Sequence, residues 1–289
     1  FGAIASWGVL GALYLQGYLV WWFTVGAIAV AISVLHELEH DLIHRLFFKR
    51  RPWLRHLCLF TIWWSKLHVN PWWRGPQHLH HHSRSGQTDD IEEKLLGIGM
   101  PWGPLRFLVA LHPGVALLLL IRLRAQVRKF SLTQTVLMSA PTFLVMWGIW
   151  EVFFGYIRVR YGFAPSWDPA HMLPMSGWPL ARNLAVLWFM PNILRQTCLA
   201  LMSSYCHYYE DVDDKNMVEQ TQILSHWALW PLQLFCFNFA ATHWLHHFVV
   251  DQPFYLRPFV AHAVSDGVIS EGMRVNDFGV VARNNRRGD

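Results

Sequence analysis

Apolar residues open this chain as an unbroken run. No charged side chain occurs between Phe1 and Leu35. As one helix that run would be roughly 52 Å long, at about 1.5 Å per residue, against a bilayer hydrocarbon core of about 30 Å. Two helices joined near Gln16-Gly17-Tyr18 use the length better, which predicts a hairpin over residues 1–35. The first helix is then short, so the protein is expected to continue before Phe1. A cleaved signal peptide is not expected, because the run is too long and has no basic leader.

From residue 36 the pattern changes. Residues 36–100 are polar and rich in histidine and basic side chains. Within them Trp53–Trp64 is apolar, bounded by charge and too short to span, so it predicts an interfacial helix. Asp89-Asp90-Ile91-Glu92 predicts a helix start capped by Asp89, with Glu92 three residues on. Further apolar stretches cover Leu105–Ile121, Leu132–Ile157, Asn183–Tyr205 and Ile223–Thr242. Residues 160–180, rich in Pro, Gly and Trp, read as a loop.

Two pairings of the later stretches stay open. If Leu105–Ile121 and Leu132–Ile157 form the second hairpin, Arg122, Arg124, Arg128 and Lys129 lie outside, against the positive-inside bias. If Leu132–Ile157 pairs with Asn183–Tyr205, those charges stay inside but Arg195 falls within a span, which is costly. Both give four spans and return His207 and the last histidine cluster to the cytoplasmic side. The expected fold is an all-α integral membrane protein, about four transmembrane helices beneath a cytoplasmic histidine-rich cap. One domain is expected over 1–289: the hairpin, histidine boxes in 36–90, further membrane helices in 105–205, and a third box and cytoplasmic tail in 206–289.

Composition agrees. Charged residues make up 15% and there are 17 tryptophans, whereas a soluble domain carries about 25% charged residues. The net charge is +5, and its placement matters more than its size. Arg45, Lys49, Arg50, Arg51 and Arg55 follow the second apolar helix and mark that end as cytoplasmic. This collar is a candidate dock for an acidic partner or for anionic lipid head groups; no nucleic-acid partner is expected. Cys58, Cys198, Cys206 and Cys236 lack CxxC spacing and are expected to be reduced.

The chemistry lies in the histidines. Ten of the 17 fall in four places: His36, His40 and His44; His78, His81 and His82 in HxxHH spacing, with His80 extra; His207 alone; and His243, His246 and His247, again HxxHH. Helix positions i and i+4 aim two imidazoles at one point. HxxHH therefore presents three nitrogens to one small volume or bridges two neighbouring metals. A mononuclear zinc site uses about four ligands, so nine or ten histidines better suit two five- or six-coordinate ions. The isolated histidines, His68 among them, receive no role. Two rival readings remain: His36-Glu37-Leu38-Glu39-His40 spells the HExxH of a zinc protease, with Glu37 as general base, and a histidine-rich membrane metal transporter is the non-enzymatic alternative.

"HDLIHRLFF" (40–48), "WWRGPQHLHHHSRSGQTDD" (72–90) and "HWLHHFVVDQPFYLR" (243–257) resemble the three histidine boxes of the membrane-bound fatty acid desaturase and hydroxylase superfamily, with His207 matching its separate histidine. The resemblance runs from about residue 20 to residue 257. It implies nine iron ligands: His40, His44, His78, His81, His82, His207, His243, His246 and His247. "HELEH" also resembles the HELxH first box of membrane alkane hydroxylases, which pairs His36 with His40. The spacing from Arg74 to His78 is one residue longer than the usual WRxxH, so a register on Gln77, His80 and His81 stays open. Ser203 stands where acyl-CoA desaturases carry asparagine.

The resemblance implies two non-haem iron ions that activate dioxygen with two externally supplied electrons, so that hydrogen is abstracted from an unactivated carbon of a fatty acid or acyl chain. Desaturation or hydroxylation is the expected outcome, with oxidative decarboxylation of free fatty acids to terminal alkenes, or alkane hydroxylation, as alternatives. Ferredoxin, rubredoxin or a small cytochrome would deliver the electrons. The expected setting is a bacterial inner membrane with the site on its cytoplasmic face. Glu37, Asp41, Asp90, Asp211 and Asp251 are the carboxylates nearest in sequence to the boxes, and they are expected to fix imidazole orientation through the free ring nitrogen.

Overall fold

The computed structural model describes residues 1–87, 89–96, 103–111, 131–208, 213 and 216–279. The opening apolar run divides at the predicted place. α1 (Gly2–Leu15) ends at Gln16, Gly17 takes a left-handed φ of 82°, and α2 (Trp21–Ile43) returns against α1. Three helical segments are long and apolar enough to cross a membrane: Trp21–Ile43, Val136–Arg160 and Met175–Ser203, with Gly2–Leu15 a shorter apolar companion. Leu132–Ile157 and Asn183–Tyr205, the pair of the second scheme, fall on two of these segments, which pack on each other. Of Leu105–Ile121, the described part is a short helix, α6 (Pro104–Leu111). Arg122, Arg124, Arg128 and Lys129 lie outside the described residues.

Val136–Arg160 lies within α7 (Leu132–Arg160), whose first turn is capped by Ser131 accepting from Gln134 N–H at 3.2 Å. The third span contains α8 (Trp178–Leu184), one π-helical turn (Ala185–Phe189) and α9 (Met190–Ser203). Leu137, Leu144 and Trp147 of α7 face outward, as expected where lipid is the solvent. α2 is the central element, packing on α1, α3 (Pro52–Lys66) and α9. Ile28, Ile32 and Leu35 are buried along it. Its last turns bury His36, Glu37, Glu39, His40 and Asp41 instead, so the polar groups there must pair with one another or hold something.

The helix expected over Trp53–Trp64 is present as α3. Leu59, Ile62 and Trp63 pack inward while Trp53, Leu57 and Phe60 are exposed. α4 (Pro71–Arg84) begins where Asn70 Oδ1 accepts from the N–H groups of Trp72 and Trp73, with Pro71 in the first helical position. The next helix, α5 (Ile91–Leu95), is capped one residue later than the sequence predicts. Asp90 accepts from Glu93 N–H, whereas Asp89 pairs with Arg84.

The apolar stretch Ile223–Thr242 does not form one helix. It is broken into a strand, short helical turns and α11 (Trp230–Leu234), because Phe237 and Asn238 adopt φ of 53° and 57°, a left-handed conformation no helix interior accepts. α12 (Phe239–Phe248) starts immediately afterwards. Around it lie α10 (Met217–Gln220) and α13 (Arg257–Ser270). Two-residue strands β1 (Gln222–Ile223) and β2 (Arg274–Val275) pair in parallel, and His207 bridges Thr221. Tyr208 O–H donates to Asp277 Oδ2 at 2.7 Å, so the last described segment is tied beside His207. All four cysteines are free.

Candidate metal centre

α4 carries three of the site histidines, α12 three, the last turn of α2 and its cap two, and the segment after α9 one. Their imidazoles converge in two groups, each with ligand nitrogens within 4.8 Å of one another: His40, His44, His78, His82 and His246, and His81, His207, His243 and His247. The two HxxHH motifs are each divided between the groups. His78 and His82 enter the first and His81 the second; His243 and His247 enter the second and His246 the first. Helical geometry is the cause, because i and i+4 share a face while i+3 leans to its other side. Each of α4 and α12 therefore serves both groups.

The spacing of the nitrogens tests whether metal ions fit. The Nε2 atom of His78 lies 3.0 Å from that of His44 and 3.1 Å from that of His82, which is 2.9 Å from Nε2 of His246. In the second group Nε2 of His243 lies 2.7 Å from that of His207 and 3.1 Å from that of His247. Two nitrogens bound to one ion at about 2.1 Å stand about 3.0 Å apart at right angles and about 3.4 Å apart in a tetrahedron. The observed spacings match right-angled coordination. Five and four imidazole nitrogens aimed at two points fit two transition-metal ions, for which imidazole is a common ligand.

Four of the opposite ring nitrogens are held by the protein, while Nδ1 of His82, His243, His246 and His247 is buried without a partner among the described residues. Nδ1 of His78 is 2.7 Å from Glu92 Oε2, Nδ1 of His81 is 2.7 Å from Asp90 Oδ2, and Nδ1 of His207 is 2.7 Å from Ser85 Oγ. Arg257 Nη2 lies 3.1 Å from His40 Nδ1 and donates to Asp41 Oδ1, while Nη1 donates to Glu37 Oε2. Glu92 continues the network: Arg74 donates to it and to Glu39, Lys66 donates to Glu39 at 2.7 Å, and Lys66 Nζ is 2.9 Å from His36 Nδ1.

Burial sets the protonation of the ligands. It holds His82, His207, His243, His246 and His247 well below the usual histidine range, and burial together with His78 holds His44 down to about 3. These rings are neutral at pH 7 and free to ligate. His81 differs: burial works against its charged form, yet Asp90 and then Glu93 push it up to about 10. Burial also brings Lys66 down to about 7 despite its contact with Glu39.

His36, expected among the ligands, joins neither group. It lies one turn before His40 on α2 and faces Lys66 instead. The HExxH pair His36 and His40 thus shares no ligand group among the described residues, and Glu37 is bound to Arg257. His80 is exposed, with Asp89 3.5 Å away, so the register is His78, His81 and His82. Of the expected carboxylates, Asp90 touches a ring nitrogen. Glu37 and Asp41 act through Arg257, Asp251 is exposed, and Asp211 lies outside the described residues. Sequence reasoning missed Glu92, Glu39, Arg74, Lys66, Ser85 and Arg257. The stretch "TDDIEE" directly after the second box was the available signal for Glu92.

A cavity of about 110 Å³ adjoins both groups. His40, His78, His81 and His243 form one part of its wall, and Trp73, Val109, Phe143, Leu199 and Phe239 make much of the remainder apolar. His36, His68 and Gln196 also line it.

The sequence profile of the fatty acid desaturase family matches residues 17–278. The chain belongs to that family, and the class carries a fatty acid desaturase or hydroxylase type of oxidoreductase. No curated protein matches closely enough to add a nearer relative.

Proposed function

We propose that this protein is a di-iron, dioxygen-dependent membrane oxidoreductase that abstracts hydrogen from the chain of a fatty acid or acyl compound, giving desaturation or hydroxylation. The observation that carries the reading is the division of nine histidines into two adjacent groups beside an apolar cavity. His40, His44, His78, His82 and His246 would hold one iron, and His81, His207, His243 and His247 the other. Bound there, the pair would supply reductive activation of dioxygen and the power to break a C–H bond.

The chain's own residues do the rest. Glu92 and Asp90 orient His78 and His81 and keep their Nε2 atoms directed inward. Trp73, Phe143, Leu199 and Phe239 exclude water and receive a hydrocarbon. The site opens at the cytoplasmic end of α2 in a bacterial inner membrane, where the Arg45 to Arg55 collar can receive an acidic electron-transfer partner. Oxidative decarboxylation begins from the same hydrogen abstraction and is the second reading.

The test is purified protein reconstituted with iron, a reduced ferredoxin or rubredoxin system, and a panel of free fatty acids, acyl-CoAs, acyl-carrier-protein conjugates and alkanes. About two irons per chain and oxygen uptake dependent on both reductant and a fatty chain are expected. One zinc per chain, or no oxidised product from any substrate, would refute the reading.

A further inference from the structure

The metal groups leave one cationic region, which reaches the cavity at Arg74 and otherwise lies behind its wall, without a task. Three cations meet there: Lys66 and Arg195, both buried, and the half-buried Arg74. Two carboxylates balance them, Glu39 and Glu92, and Glu92 is shared with His78. Arg195 is the least satisfied. It is 1% exposed on a membrane-spanning segment, donates from Nη2 to Gln196 Oε1 at 2.9 Å, and has no partner for Nε or Nη1 among the described residues. His68 Nδ1 is likewise buried without a partner. Glu39 acts on this guanidinium only through space, and two buried donors without acceptors are costly unless a further acceptor completes the site.

The place of these groups indicates which anion. Gln196 lines the cavity, and so does Leu199, one turn beyond Arg195 on the same face of α9. His36, in contact with Lys66, and His68 line it too. Arg74, Gln77, Glu92, Glu93 and Ser203 also reach the wall, but most of its exposed area is apolar. A ligand that satisfies both parts has one negative head group and a hydrocarbon body.

We propose that His36, His68 and Gln196, backed by Lys66 and Arg195, form a subsite for the carboxylate of an unesterified fatty acid. The inference rests on the proposed oxidation of fatty chains and deepens it by naming the head group. A thioester or alkyl ester carries no charge at that atom and leaves Arg195 unpaired. His36 precedes His40 by one helical turn, about 5.4 Å of rise. A carboxylate held beside His36 therefore brings the first few carbons of the chain, not its middle, next to the metal groups.

The test needs binding without turnover. Iron-loaded full-length protein in nanodiscs, kept anaerobic, is equilibrated with tritiated palmitate and challenged with palmitate, methyl palmitate, palmitoyl-CoA and hexadecane. Palmitate should displace the probe at a concentration at least about tenfold below any of the others, since a site built for a charged head group rejects analogues lacking it. Equal or stronger displacement by the ester or thioester overturns the proposal, and this comparison needs no variant. R195M should weaken palmitate by about tenfold or more while methyl palmitate changes by less than about twofold, with R195K recovering most of the loss. A parallel loss for acid and ester, or no loss for the acid, counts against the subsite. The two readings fail separately: oxidation of thioesters without binding of the acid sinks the subsite alone, and selective binding of the acid without oxidation of any chain sinks the enzymatic reading alone.

Discussion

His36 and His82 show how little residue identity decides by itself. Both are histidines in box-like spacing, yet His82 has its Nε2 2.9 Å from that of His246 while His36 faces Lys66. The His82→Ala substitution is expected to lower iron from about two per chain to about one, whereas His36→Ala keeps both; metal analysis of the purified variants measures it. Glu92 acts through His78 and not on substrate. Glu92→Gln keeps a hydrogen-bond acceptor but loses the charge, and should weaken iron binding by about 10- to 100-fold in a chelator competition. An unchanged affinity would remove Glu92 from any orienting role. The ligands were legible as residues because imidazole spacing survives in the sequence. Lys66, Arg74 and Arg257 were not, because each meets a carboxylate more than twenty residues away, through packing that no local pattern encodes.

Among the elements, the long apolar helices were the most legible, since a bilayer demands length and an absence of charge. α3 was legible for a related reason: its apolar residues are too few to span and are flanked by arginines. Its exposed stripe of Trp53, Leu57 and Phe60 should lie in the acyl region of the cytoplasmic leaflet. In Trp53-only fluorescence, with the other tryptophans replaced in the region of α3, brominated lipid should quench Trp53, and Leu57→Asp should weaken that quenching. The break before α12 was hidden in an apolar run. Asn238 holds φ at 57°, where asparagine is tolerated and a β-branched side chain is not. Asn238→Gly should be tolerated, while Asn238→Val should cost about 1–2 kcal/mol, read as a lower melting temperature in detergent.

For the whole molecule, the buried neutral histidines make stability depend on acid. His44, held down to about 3, and His82, His207, His243, His246 and His247, all held low by burial, stay unprotonated when folded. In the unfolded chain they titrate near 6.5. Below that pH the unfolded state binds more protons, so stability falls as pH falls, by about 1.4 kcal/mol per pH unit for each such ring. His81 runs the other way. Its stabilising charge is fully present below about 6.5 and lost as pH rises through about 10. Six rings against one set the balance. The melting temperature of metal-free protein should drop steeply between about pH 6.5 and 5.5, and a flat profile there would contradict the burial of these rings.

The sequence by itself determined the solvent, the class of fold, and the residues able to hold metal. Each follows from short-range facts: how long a run stays apolar, and which side chains recur three and four residues apart. Tertiary structure alone decided how those histidines divide into two groups. It also decided that His36 lies outside both groups and that Arg195 Nε and Nη1 have no hydrogen-bond partner among the described residues. Those outcomes depend on which helix faces lean together, and distances between separate helices are fixed only when the whole chain packs.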